Sequence, residues 1–515
     1  MSLPPVHICI VQPAGYVHSL GFLDPARFLR YQFVRLGADV TMAKNRLCHE
    51  AVNFVFGAHL GFDAELRARY TCVFVNLEQL GHGGAKVSAA YLDLLRQSAV
   101  VDYDAANVGA YAAHVDDVPL ISFAYAPYLA ASPLPLEQRP IDLLFIGSMN
   151  ERRKRFIEAI ESCGRTVVLL DGPLYGPERD DLLGQARAVV NCHHYESARF
   201  EQARAFQCMS LGTPVISERT AVTLPPVQFE DAVFWVTPDD MRDFFVHQFG
   251  TPAFAQQARG RLEVFRRFDV VEQYADVLGF ACGYRQVHKQ RLSTVPWQPT
   301  RLHIGSGKDY KLGWFNVDIL ESARPDAVLD LARPQTWPLV LSSDTAGTVE
   351  LRAGSLSAVY ANNVLEHVAD LPQLMGNCLS LLAEGGEMFI EVPHERAATA
   401  WQDPTHVRAM NKNSWIYYAD WFWYLGWFDW RFQVKHLVYL DARLQECSED
   451  AAHFMRVTLV KVATTLAEKM TARTMQADFG GIPDDLEFDQ YPQHEAPTHS
   501  AALLENPATQ LVIAQ

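Results

Sequence analysis

The chain has 515 residues, 49% of them apolar and 20% charged, enough to build several hydrophobic cores and to predict two to four domains. A formal net charge of −16 argues against stable nucleic-acid binding, because neutralising a run of phosphates calls for a basic surface. Nine scattered cysteines with no CxxC pair read as reduced thiols of a cytoplasmic protein. The first residues lack a signal-peptide pattern, and no apolar run approaches the roughly 20 residues that span a bilayer, which leaves only peripheral membrane association open.

In residues 1–135, HICIVQP, ADVTMAK, NFVFGA, CVFVNL, AVVDYD and PLISFAY read as buried strands. PARFLRYQFVRLG reads as a helix stopped by Gly37. Strands alternating with helices predict a Rossmann-like α/β unit with a parallel sheet. The Pro-rich ASPLPLEQRP marks a linker. Residues 136–290 repeat the pattern with strands IDLLFIGS, RTVVLL, AVVNC, PVISE and AVFWVT, a helix ERRKRFIEAIESCG, and a closing helix VVEQYADVLGFACGYRQVHKQ. A second linker, LSTVPWQPT, leads into a third α/β unit over 301–465. Residues 466–515 read as an extension that becomes polar, acidic and Pro-rich.

In the third unit a strand enters the turn Gly305-Ser306-Gly307, where missing side chains let backbone approach a ligand. The next strand ends at Asp318, whose carboxylate is suited to accept from both ribose hydroxyls of a nucleoside. AVLDL is predicted as a strand leading to Asp330, SAVYANNVLEHV runs into Asn362, Asn363, Glu366 and His367, and GGEMFIEVPH ends at His394. The ordered set LHIGSG, GWFNVDI, LDL, NNVLEHV and GGEMFIEVP resembles the small-molecule branch of class I S-adenosylmethionine-dependent methyltransferases. The resemblance implies that Gly305, Ser306 and Gly307 line the cofactor, Asp318 binds its ribose, Asp330 lies near adenine and Asn362 near the methionine part. His303 departs from the acidic residue many members carry before the turn, and SSDTAGTVELRAG reads as an insertion. His367, His394 and His406 are candidate bases for the acceptor proton. Asp403–Arg408 resembles a loop over the acceptor site, and the aromatic-rich run after it reads as an acceptor wall or lid, or as core packing.

In the second unit, Val190-Asn-Cys-His-His-Tyr-Glu-Ser-Ala-Arg-Phe-Glu-Gln-Ala-Arg204 is followed by a helix closing at Gly212 and by PVISE. With two Rossmann-like units in a row, this resembles the donor-binding segment of GT-B glycosyltransferases. The fold class that follows is two Rossmann-like domains in a GT-B arrangement, then a Rossmann-like class I methyltransferase domain. The resemblance implies a nucleotide-sugar held by His193, Tyr195, Glu201, Arg204 and Glu218. Gly147 with Arg152 and Arg153, at a strand-to-helix turn, is suited to a diphosphate. His18 and Glu78 are candidate bases for an acceptor hydroxyl. Gln207 stands where many retaining enzymes carry a second glutamate, so retention is not implied. No metal is predicted.

The sequence therefore predicts a bifunctional glycan-building enzyme that uses a nucleotide-sugar donor, S-adenosylmethionine and a glycan acceptor. Its rivals are a methyltransferase with a degenerate, merely binding first half, a phage-type modifier of nucleic-acid bases, and a non-enzymatic assembly protein.

Overall fold

Period-two apolar patterning lets the inner strands of the first sheet serve two cores. In β1 (Val6–Ile10), Val6, Ile8 and Ile10 enter one apolar cluster while Cys9, with Val11 just beyond the strand, enters another. The computed structural model describes residues 3–131, 133–170, 172–292 and 295–475. With β2 (Val40–Lys44), β3 (Val52–Phe56), β4 (Thr71–Asn76) and β5 (Ala99–Asp102), β1 forms a parallel sheet in the order β2-β1-β3-β4-β5. The expected strand PLISFAY does not form. Only Leu120 bridges to Asp102, and side chains take the next backbone donors: Gln273 Oε1 accepts from Ser122, Gln202 Oε1 from Phe123, and Ser210 Oγ from Ala126.

The second sheet comprises β6 (Ile141–Ile146), β7 (Val167–Leu170), β8 (Ala186–Asn191), β9 (Val215–Glu218) and β10 (Phe234–Val236). It is also parallel, in the order β10-β9-β8-β6-β7. One apolar cluster joins the two sheets through Phe28, Phe33, Phe123, Phe206 and Tyr274. The closing helix Val271–Lys289 follows the second sheet in sequence but packs back on β3, β4, β5 and the Leu23–Arg35 helix. The strand alternation and its helices are thus as the sequence pattern implies, in parallel Rossmann-like sheets.

The third sheet starts with β11 (Arg301–Ile304), β12 (Phe315–Asp318) and β13 (Ala327–Val328). The predicted AVLDL strand is thus cut to two residues. The stretch read as an insertion lies in an antiparallel hairpin of β14 (Leu339–Ser343) and β15 (Gly347–Leu351). Then come β16 (Leu356–Asn362), β17 (Leu382–Pro393), β18 (Trp430–Leu440), β19 (Glu446–Cys447) and β20 (Phe454–Ala463). The order is β13-β12-β11-β16-β17-β20-β18-β19, with β20 antiparallel to both its neighbours. The hairpin turn meets the first unit: His49 N–H donates to the Thr345 carbonyl at 3.0 Å, and Arg69 donates to the Ala346 carbonyl at 2.6 Å. The Arg69 guanidinium also lies 4.5 Å from the Trp297 ring centre. A helix covers Leu466–Met475, and the acidic remainder of the extension lies outside the described residues. Among the described residues no helix is long and apolar enough to cross a membrane.

Two buried histidines make the fold acid-sensitive. His7 bonds Thr41 Oγ1 and the Arg46 carbonyl, and His303 bonds Asn316 Oδ1. Burial holds each ring's pKa down at about 4 instead of 6.5. Between those values the unfolded chain binds the extra protons, so stability is intact above pH 6.5 and falls as pH drops toward 4. His303→Gln is expected to remove about 2–3 kcal/mol of the stability lost between pH 7 and 4.5, read from urea unfolding by tryptophan fluorescence. An unchanged pH slope contradicts this assignment.

Candidate functional sites

Parallel sheets hold ligands at strand carboxyl ends where the strand order reverses. In the third sheet that point falls between β11 and β16. Gly305, directly after β11, has φ +60, and a Cβ there would lie 2.3 Å from Val364 Cγ2. Gly307 also has positive φ, +48, and its N–H donates to Asp318 Oδ2 at 2.8 Å. The other Asp318 oxygen accepts from the Leu320 N–H at 2.9 Å. A carboxylate offers about four lone-pair positions, so two remain for hydroxyl donors. Ser306 Oγ and Asn362 Oδ1, at the ends of β11 and β16, are buried without a partner among the described residues. Such orphaned atoms are costly unless a ligand or water meets them. Five of the six predicted cofactor contacts therefore gather at this edge. Asp330 is tied in through Leu329, whose N–H donates to the Asp318 carbonyl at 3.0 Å. Its own carboxylate accepts from Ala332 N–H at 2.9 Å and from Arg333 at 3.1 Å.

Just beyond Asn362, Glu366 is only 1% exposed and neither carboxylate oxygen has a partner among the described residues. Burial pushes its carboxyl up to about 7. The Asp403–Arg408 segment is pinned over it: Val407 N–H donates to the Glu366 carbonyl at 2.9 Å, and Arg408 donates to the Val368 and Ala369 carbonyls at 2.7 Å. This brings His406 to within 4.6 Å of His367, ring centre to ring centre. His394 is not part of that pair; it is fully buried and packs on the Tyr439 ring. Of the aromatic run, Trp415, Tyr418 and Phe422 enter the core, while Tyr417, Trp421 and Tyr424 cluster on the outside.

The first and second sheets face a cavity of about 440 Å³. It lies at the carboxyl ends of β4, β6 and β7, and Gly147, Arg153, Tyr195, Glu201, Arg204 and Glu78 line it. Gly147 sits at φ +144, where a Cβ would meet Arg204 Nη2 at 3.1 Å and Arg153 Nη1 at 3.4 Å, so the glycine makes room for two guanidinium groups. Glu201 pairs with both, at 2.5 Å to Arg153 and 2.6 Å to Arg204. Burial works to raise its pKa, but Arg204 and Arg153 outweigh that and hold it below the usual carboxylate range. Arg152, His193 and Glu218 form a separate cluster outside the cavity lining. Both Glu218 oxygens accept from Arg152 at 2.7 Å, and one also takes the His193 N–H at 3.0 Å. His18 is exposed and lies at the rim, 3.3 Å from the Tyr175 hydroxyl. Glu78 stands 3.5 Å from His59 Nε2.

A family model described as "Methyltransferase domain" matches residues 288–443. The third unit carries a methyltransferase domain. That stretch contains β11 to β18 and every C-terminal site residue named above. A protein of Acanthamoeba polyphaga mimivirus described as uncharacterized protein L140 is 24% identical over 178 residues, 33% of this chain and 51% of that protein. The chain thus spans about half the length of this curated relative. Among solved structures, an S-adenosylmethionine-dependent methyltransferase from Mesorhizobium loti is 16% identical, with 33% of this chain and 94% of that chain covered, at a TM-score of 0.20. AviGT4, a glycosyltransferase involved in avilamycin A biosynthesis, is 16% identical, with 56% of this chain and 98% of that chain covered, at a TM-score of 0.33.

Several lining residues escape a reading of strands and motifs. Tyr175 and Arg179 reach the cavity from the segment after β7. Arg179 donates to Asp24 at 2.8 Å and to Gln207 Oε1 at 2.9 Å, joining the first unit to the second. The Gly172 and Gly176 bracket in GPLYG, after a strand tip, is the signal that could have found them. Glu366 was visible only as the middle of LEH.

In the methyltransferase domain the tightest constraint is at Gly305. Gly305→Ala forces a Cβ into Val364 at a left-handed backbone position, and a loss of about 2–4 kcal/mol is expected in thermal unfolding. Adding Val364→Ala should recover the packing share only. A Gly305→Ala protein as stable as the parent contradicts the geometry.

Proposed function

We propose that the chain is a two-site cytoplasmic enzyme of glycan assembly. Its third unit transfers a methyl group from S-adenosylmethionine, and its first two units, in a GT-B arrangement, transfer a sugar from a nucleotide-sugar. The observation that carries the first half is the Asp318 carboxylate, fixed by Gly307 N–H and Leu320 N–H beside a glycine turn in a methyltransferase domain. The residues present fit the cofactor. Asp318 keeps lone pairs for two ribose hydroxyls, Gly305 and Gly307 leave backbone-lined space, and Ser306 Oγ and Asn362 Oδ1 await polar partners. S-Adenosylmethionine, when bound, supplies an electrophilic methyl group. The chain's part is to align the acceptor, to exclude water under the Asp403–Arg408 segment, and to take the acceptor proton on the imidazole of His367 or His406.

The second half rests on the cleft. Arg153 and Arg204 converge on the Gly147 turn between two parallel sheets, which suits the diphosphate of a sugar donor. Glu78 lines the same cavity and is the base assigned to the acceptor hydroxyl. The Gln207 side chain favours one alternative, a first half that binds glycan without transferring sugar: as an amide bonded to Arg179, it adds no carboxylate beside Glu201 from the same helix segment.

Both halves are testable with the full chain. Titration calorimetry with S-adenosylmethionine is expected to give one site, weakened at least about tenfold, on the order of 1.4 kcal/mol, in Asp318→Asn. Equal affinity of the two proteins removes the ribose assignment. A panel of UDP-, GDP- and dTDP-sugars should contain one that binds the parent and is lost in Arg204→Ala. Binding of S-adenosylmethionine with no binding of any nucleotide-sugar leaves the methyltransferase half standing alone.

A further inference from the structure

The Asp403–Arg408 segment places three metal-type donors together. One carboxylate oxygen of Glu366 and one ring nitrogen each of His367 and His406 lie within 4.8 Å of one another. We propose that Glu366, His367 and His406 form the binding site of one divalent transition cation. The cation is held by protein atoms alone and needs no cofactor, but it occupies the Nε2 lone pairs, so it excludes the proton-accepting role given above to His367 or His406 while leaving the Asp318 edge untouched.

Three observations carry it. First, Glu366 is 1% exposed with both carboxyl oxygens unpartnered among the described residues, so a buried carboxyl group with no side-chain or backbone donor on it lies beside the two imidazoles. Second, the hydrogen bonds at Nδ1 hold both rings in one tautomer, with the free lone pair on Nε2. His406 Nδ1 lies 3.0 Å from the Ala400 carbonyl, which only accepts, so Nδ1 carries the hydrogen and Nε2 the lone pair. Thr405 Oγ1 donates its one hydrogen to Asp403 Oδ1 at 2.6 Å, so at 2.9 Å from His367 Nδ1 it accepts, and His367 Nε2 is left bare. An imidazole whose far nitrogen donates to a carbonyl or a carboxylate-anchored hydroxyl is the supporting arrangement of metal-binding histidines. Third, the Asp403 carboxylate, 4.0 Å from His406 Nε2, adds negative charge beside the cluster.

Two imidazoles and one carboxylate suit Zn²⁺, Mn²⁺, Fe²⁺ or Co²⁺ better than Mg²⁺ or Ca²⁺, which favour all-oxygen shells. Three protein donors leave positions open for water or a hydroxyl-bearing molecule. The sequence predicts no metal; Glu366 and His367 are adjacent while His406 comes from a separate segment, and only the fold unites them.

The test uses the full chain, stripped with chelator and titrated with Co²⁺ by visible absorption, without S-adenosylmethionine. One equivalent with d–d bands and no thiolate charge-transfer band is expected. That equivalent should be lost in the His367→Ala/His406→Ala double variant, which keeps all nine cysteines as background. Thr405→Ala, which removes a support and no ligand, should weaken binding by about tenfold. X-ray absorption of the Zn²⁺-loaded parent guards against misfolded variants; a nitrogen and oxygen shell supports the site. Equal Co²⁺ binding by parent and double variant, or a sulfur-dominated shell, overturns it.

Discussion

The Asp318 carboxylate joins two strand tips by accepting the Gly307 N–H and the Leu320 N–H, and the geometry of the third sheet's carboxyl edge hangs on that bridge. It fixes the turn after β11 against the end of β12, with Ser306 N–H donating to the Val317 carbonyl at 3.1 Å between them. The turn is possible only because Gly305 and Gly307 take positive φ, and Val364 closes over Gly305 so tightly that no side chain fits. A preorganised acid beside bare backbone meets a nucleoside without having to rearrange. The same edge then carries Asn362 and Glu366, so the polar atoms without partners among the described residues lie on one continuous rim.

Charge pairing plays the corresponding part in the other two sheets. Glu201 holds Arg153 and Arg204 at the Gly147 turn, while Glu218 consumes Arg152 and the His193 N–H close by. Two glutamates of one sequence motif thus end in different tasks: one lines the cleft and the other braces its wall. Arg179 spans the units from within, bonded to Asp24 on one side and Gln207 on the other. The turn of the β14–β15 hairpin meets the first unit through His49 and Arg69, and Arg69 also lies over Trp297, so the first unit contacts both of the others.

Much of this was legible in sequence. Short β-branched runs between helices announced nearly every parallel strand, and the sequence placed the glycine turn directly after β11 and Asp318 at the end of β12, where both stand. The failures share a physical cause. PLISFAY has the composition of a strand, yet Gln273 and Gln202 from distant segments take the Ser122 and Phe123 N–H groups, and Ser210 takes that of Ala126 just beyond it. Asp330 and Glu218 sit near strand ends as the pattern requires, and the Arg333, Ala332 N–H and Arg152 donors that meet their oxygens are not visible in it. Glu366 went unselected because its burial, and the return of His406 to its neighbour His367, arise only when the 403–408 segment folds back. Long-range side-chain partners are what periodicity cannot encode.

Amide hydrogen exchange of the full chain, with and without saturating S-adenosylhomocysteine, addresses the nucleoside edge most directly. Slowed exchange is predicted at Gly305–Asp309, at Leu320 and across Asn363–His367, with the 141–218 segment unchanged. Slowing confined to the cleft between the first two sheets, or none at saturation, contradicts the assignment of Asp318 and the glycine turn as the nucleoside-binding edge.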